Sequence, residues 1–114
     1  TTKDEINVRD GVSVRKIEVG YFDKSCISFS IKNNLPSAIS DVKILFLLYD
    51  NTGTVVDYVE RYYLWRYGSG DSIKPFLAKS FGCSGNTSSA RFDTDFKAGY
   101  KIEARILDFK IKNE

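Results

Sequence analysis

The stretch from Val42 to Asp50, Val-Lys-Ile-Leu-Phe-Leu-Leu-Tyr-Asp, limits what this chain can fold into. Val42, Ile44, Phe46 and Leu48 share one parity, and Leu45, Leu47 and Tyr49 share the other. A strand apolar on both faces belongs in the middle of a sheet and is sheltered on its second side as well. Asn51-Thr52-Gly53-Thr54 follows, then Val55-Val56 opens another extended run. Asp50 is placed to hydrogen-bond back onto this turn, and Gly53 to take the positive φ that closes a bulged hairpin.

The rest of the chain reads as short strands between turn signals. Val8, Val12 and Val14 begin an alternating run that Ile17, Val19 and Tyr21 continue on the opposite parity, so a bulge is expected near Arg15-Lys16. Ile27, Phe29 and Ile31 alternate with Ser28, Ser30 and Lys32 up to a loop at Asn33 to Ser37. The second hairpin arm is expected to run from Thr54 towards Tyr67, with Gly68 to Ser72 breaking it, and a further strand to cover Phe76 to Cys83. Arg91 to Ala98 reads as a short strand or one helical turn closed by Gly99. Tyr100, Ile102, Ala104 and Ile106 alternate inward, and Leu107, Phe109 and Ile111 take over the opposite parity, which asks for a second bulge. About seven short strands without helical periodicity predict an all-β, two-sheet antiparallel sandwich. Its expected core is Ile27, Phe29, Ile31, Ile44, Phe46, Leu48, Ile102 and Ala104.

Composition excludes several classes. With 114 residues, 42% hydrophobic and 28% charged, the chain reads as a single soluble globular domain over 1–114. No apolar run approaches the length of a membrane-spanning helix, so no direct membrane insertion is expected. The chain starts with Thr and shows no basic-plus-apolar leader, so it reads as a mature form or an excised piece of a larger secreted protein. The net charge of +2 is spread along the chain, which argues against nucleic acid as a partner. Histidine is absent, and with it any His-based triad, imidazole zinc site or proton shuttle. Asp93-Thr94-Asp95 with Asp71 lacks the ligand spacing of a calcium loop. Glu18, Glu60 and Glu103 are not paired by anything in the sequence, and no glycine-rich phosphate loop is present. Neither enzymatic activity nor a cofactor or metal is expected. Asn86-Thr87-Ser88 matches a glycosylation sequon in a polar loop tip.

Phe46-Leu47-Leu48-Tyr49-Asp50 resembles the Phe-x-Leu-Tyr-Asp signature of the FxLYD family of prokaryotic immunoglobulin-like domains. Ile31-Lys32-Asn33 is similar to the family's strand ending in Asn, and Ile39-Ser40-Asp41-Val42 to its return into the central strand. Asn51 to Val56 and Ile73 to Phe81 resemble its next two segments, although Phe76-Leu77-Ala78 stands where the family carries a Gly turn after Pro75. The resemblance implies an immunoglobulin-like sandwich at an extracytoplasmic location, secreted, periplasmic or on the cell surface, with a protein partner or adjacent domain and no known chemistry. In an immunoglobulin-like order the Cys26 strand and the Phe76–Cys83 strand are antiparallel neighbours, which brings Cys26 near Cys83. The two are expected to form a disulfide, worth about 4 kcal/mol by loop-closure entropy.

The aromatic arm Tyr58 to Tyr67 is the expected binding element. Val59, Arg61, Tyr63, Trp65 and Tyr67 share one face, and Tyr58, Glu60, Tyr62, Leu64 and Arg66 the other. Tyr62 and Leu64 make the better core pair, so Arg61, Tyr63, Trp65 and Tyr67 are expected outward, beside any exposed part of Leu45, Leu47 and Tyr49. Such a face suits a protein partner, or alternatively a carbohydrate stacked on the rings.

Overall fold

The computed structural model describes residues 8–9, 11–20, 24–64, 72–83 and 90–112. Within them lie eight strand segments: β1 (Val8–Arg9), β2 (Val12–Val19), β3 (Cys26–Asn33), β4 (Ala38–Tyr49), β5 (Val55–Tyr63), β6 (Ala78–Phe81), β7 (Ala90–Arg91) and β8 (Lys101–Lys112). They form two antiparallel sheets packed as a sandwich. One runs β1-β2-β3-β6, with β7 also pairing β3, and the other runs β5-β4-β8. β3 takes β6 as its antiparallel neighbour, the pairing that an immunoglobulin-like order requires. No described residue is helical.

β4 is central to the second sheet, as its two apolar faces demand. Val42, Ile44, Phe46 and Leu48 are fully buried, while Leu45, Leu47 and Tyr49 are half-buried on the other side. The hairpin after β4 is held by Asp50, whose Oδ1 accepts from the Thr52 N–H (2.9 Å), the Thr52 hydroxyl (2.6 Å) and the Thr54 N–H (3.0 Å). These bonds, the Thr52 hydroxyl first, hold the Asp50 carboxyl below its ordinary range. Gly53 has φ 87°, a conformation that only glycine takes without a steric penalty.

The expected core residues are buried except Ile102, which is half-buried and packs against the cluster from β8. Phe29 is its aromatic hub, with ring centroids 5.0 Å from Phe46, 5.0 Å from Tyr63 and 5.2 Å from Phe81. Both expected bulges are present. The β2–β3 register shifts between Arg15 and Glu18, with Lys16 at φ 56°, and the β4–β8 register shifts around Leu107.

Asn33 ends β3 and is fully buried. Its side-chain amide donates to the carbonyls of Ser37 (2.9 Å), Ile73 (3.0 Å) and Lys74 (3.2 Å), and its Oδ1 accepts from the Leu35 N–H (2.9 Å). One side chain thus fastens two loops to the strand end, satisfying backbone groups that burial would otherwise leave costly.

Three elements differ from expectation. β5 stops at Tyr63, because Leu64 turns to φ 59° and gives its carbonyl to the Asp41 N–H (3.0 Å). The strand expected over Phe76 to Cys83 is only Ala78–Phe81. Its start is occupied by a turn in which the Leu77 N–H donates to the Lys74 carbonyl (3.1 Å), and Phe76 itself holds the left-handed position at φ 64° after Pro75. This is the site where a type II turn asks for glycine. Arg91 to Ala98 is neither a full strand nor a helical turn: β7 covers Ala90–Arg91, and a separate turn closes with Tyr100 N–H on the Lys97 carbonyl (3.0 Å) around Gly99.

Two side chains test the packing from opposite directions. Phe46→Ala removes a fully buried ring and should lower unfolding free energy by about 3–5 kcal/mol through transfer and cavity terms. Tyr63 has a buried hydroxyl without a hydrogen-bond partner among the described residues. Removing that group as Tyr63→Phe keeps the ring contacts and should raise stability by about 1 kcal/mol in urea unfolding. At the turn, Phe76 is 57% exposed and buries little, so Phe76→Gly should gain roughly 0.5–1 kcal/mol by relieving the left-handed backbone.

Candidate functional site

The turn at Asp50 and the ladder behind it decide which side chains β5 presents. Tyr49 pairs with Val55, but Leu48 pairs with Asp57, so Val56 is an extra residue on β5. Without this bulge Val42 would lie opposite Tyr62. With it Val42 lies opposite Tyr63, and every side chain beyond is carried to the other face.

The expected orientation of the arm is therefore reversed. Tyr63 is 2% exposed and packs against Phe29 and Phe81, so it is no platform for a ligand. Burial pushes its phenol far above the ordinary value, against a small opposing pull from Arg61. Tyr62, expected in the core, faces outward at 47% exposure. Leu64 is buried as expected, but only because its left-handed backbone breaks the alternation and turns it inward beside Tyr63. Arg61 is exposed, although it shares the inward parity, because β5 is the border strand. Trp65 and Tyr67 lie outside the described residues, as do Asp71 and the Asn86 sequon.

What the structure brings together is the outer face of β5-β4-β8. Tyr58, 67% exposed, lies opposite Leu47, which lies opposite Glu103. Glu60, Leu45 and Arg105 form the next row, and Tyr62, Lys43 and Asp108 the one after. Tyr58 was missed by the choice of face. Its signal was present in the sequence, because Val59 and Tyr58 sit at opposite parities and the register alone chooses between them.

Charged groups brace this face. The Lys43 ammonium lies 3.2 Å from Glu60 and 5.4 Å above the centre of the Tyr62 ring. The Glu60 carboxylate, through hydrogen bond and charge, raises the Lys43 pKa. The Tyr49 hydroxyl donates to Glu103 Oε1 at 2.6 Å, and Arg105 Nε donates to Glu103 Oε2 at 3.0 Å. Arg105 first, and Tyr49 second, hold the Glu103 carboxyl below its ordinary range, while Glu103 raises the Tyr49 phenol. The result is a face of aromatic and aliphatic side chains set between paired charges. Among the described residues no group of three or more potential metal-ligating side chains occurs.

On the other sheet, Cys26 and Cys83 are joined by a disulfide with Cα atoms 6.0 Å apart. The β3–β6 register that pairs Phe29 with Phe81 leads directly to this juxtaposition. Cys26 has the parity of Ser28 and Ser30 and is fully buried. Cys83 lies beyond the end of β6, so its parity with Phe81 no longer governs it. The disulfide is compatible with an oxidising compartment. Lys16, Glu18, Ser28, Phe29, Ser30, Ser80, Phe81 and Gly82 line an open groove on the same sheet.

No protein-family model, curated protein or solved structure matches the chain.

The bracing of Glu103 has a pH signature. A carboxyl with a depressed folded-state pKa contributes stability that is present above its unfolded value of about 4.3 and is lost as pH falls through the folded value. Glu103→Gln should therefore flatten the loss of stability seen on acidification below about pH 4.3, and it should also change the alkaline limb, because Glu103 no longer raises the Tyr49 phenol. Thermal melts of both proteins from acid to alkaline pH check this.

Proposed function

We propose that this chain is a non-catalytic interaction or spacer module of a bacterial surface or secreted protein, of the FxLYD type. It acts outside the cytoplasm and presents the outer face of β5-β4-β8 to a protein partner or an adjacent domain. The observation that carries this reading is the pair Tyr58 and Tyr62, 67% and 47% exposed, beside the half-buried Leu45 and Leu47. Exposed tyrosines on an apolar bed with charges at the rim have the composition of binding hot spots. The two-sheet sandwich and the hairpin formed by Phe46 to Asp50 support the family reading, and the Cys26–Cys83 disulfide supports the location.

A carbohydrate ligand is the alternative, and the strongly exposed Tyr58 ring favours it. The intervening leucines and the engagement of the Tyr49 hydroxyl by Glu103 favour a protein surface instead.

The immobilised domain can be offered solubilised cell-envelope proteins and, separately, insoluble polysaccharides, alongside a Tyr58→Ser/Tyr62→Ser variant. The variant should keep its stability within about 0.5 kcal/mol per surface substitution. It should also lose capture of envelope protein. Retention by polysaccharide alone would move the reading to the carbohydrate alternative. Undiminished protein capture by the variant would show that this face is not the site.

A further inference from the structure

The outer face of the first sheet carries a row of hydroxyls. Ser28 and Ser30 on β3 alternate with the core residues Ile27, Phe29 and Ile31, so they point away from the core. Ser80 on β6 pairs with Ser30, and Glu18 on β2 pairs with Ser28. The bulge in β2 brings Glu18 there. Arg15 lies opposite Ser30 and Glu18 opposite Ser28, so Lys16 and Ile17 together face Phe29. Without the extra residue Ile17 would stand beside Ser28, and Glu18 would turn to the core face.

Lys16, Glu18 and the three serines line an open groove of about 220 Å³. Ser30 sets this groove apart from an ordinary polar sheet face. The residue is only 8% exposed, and what exposure it keeps is to the groove. Its hydroxyl makes no hydrogen bond among the described residues. The cross-strand neighbour Arg15 does not supply one, because its Nε donates to Ser13 Oγ at 3.1 Å. The Ser28 and Ser80 hydroxyls have no partner among the described residues either, and Lys16 and Glu18 form no ion pair there. An unpaired hydroxyl on the floor of a groove costs stability unless an occupant of the groove meets it.

We propose that this groove binds a neutral sugar residue. A serine hydroxyl both donates and accepts, and a sugar ring offers hydroxyls of the same kind on successive carbons. One ring can therefore meet Ser28, Ser30 and Ser80 in turn, while Glu18 accepts from its hydroxyls and Lys16 donates to them. An amino-acid zwitterion would satisfy the two charges and leave the serines unmet. An inorganic anion would be drawn to Lys16 but repelled by Glu18. The groove is smaller than the roughly 300–1,000 Å³ of drug-sized sites, so it takes one ring, and any continuing chain leaves through the open side. The site lies on the sheet opposite the outer face of β5-β4-β8 and stands independently of the function proposed for that face.

Titration of the isotope-labelled chain with soluble oligosaccharides of glucose, galactose, mannose and N-acetylglucosamine, followed by amide NMR shifts, tests it. At least one should shift the Glu18, Ser28, Ser30 and Ser80 amides saturably at millimolar concentration or below. Ser30→Ala should weaken that binding about fivefold, the loss of one hydrogen bond, with a Tm equal to or above the parent's because the hydroxyl has no internal partner. Ser80→Ala, at an exposed position, should weaken it in the same direction without touching the core. The proposal is overturned if none of the four sugars shifts the groove amides, or if the shifts are confined to β5-β4-β8. Shifts produced by glycine but by no sugar also overturn it, as do Ser30→Ala and Ser80→Ala variants that bind as tightly as the parent.

Discussion

The register of β4 against β5 controls more of this molecule than any other interaction. It is set at one end by Asp50, whose carboxylate holds the turn, and corrected one step later by the extra residue Val56. That single insertion decides which tyrosine enters the aromatic cluster around Phe29 and which stays on the surface. The cluster in turn spans the sandwich, since Phe29 and Phe81 belong to one sheet and Phe46 and Tyr63 to the other. A shift of one residue would exchange Tyr63 for Tyr62 in the core and carry Glu60 with it to the inner face.

The first sheet is secured by different means. β3 is its central strand, and its two ends are fastened separately. Asn33 ties one end to the loops around Ser37, Ile73 and Lys74 through its buried amide, and Cys26 ties the other to Cys83. Between them the paired strand β6 is only four residues long, so these two anchors supplement a short ladder. Local strain is admitted where other contacts hold it. The left-handed Phe76 sits in a turn whose carbonyl is reached by the Lys32 ammonium, and the left-handed Leu64 is fixed by the Asp41 N–H.

The outer face of β5-β4-β8 gathers side chains from three strands that are distant in sequence. Its charges are arranged as pairs, Lys43 with Glu60 and Glu103 with Arg105, so the aromatic surface between them is framed rather than flooded by charge. Exposed pairs of this kind add little stability. Their effect is to orient long side chains: Lys43 is held over the Tyr62 ring, while Tyr58 stays exposed.

The sequence by itself determined the all-β class, the central position of the Val42–Asp50 strand, the turn at Asp50 and Gly53, and both bulges where parity changed. Each of these follows from local alternation or turn chemistry, which a chain carries in its own residues. The Cys26–Cys83 pairing was legible once an immunoglobulin-like order was assumed, because strand neighbourhood then places both sulfurs at one end of β3. The tertiary structure alone decided the orientation of Tyr58 to Tyr63. Both faces of that arm are aromatic and both carry a charge, Glu60 on one and Arg61 on the other, so hydrophobic periodicity has no preference between them. The choice fell to the Val56 bulge and to the space beside Phe29 and Phe81, neither of which exists until the sheets have paired. The left-handed Phe76 was hidden for the same reason: an exposed aromatic after proline reads as strand until the Lys32 and Lys74 contacts hold the turn in place.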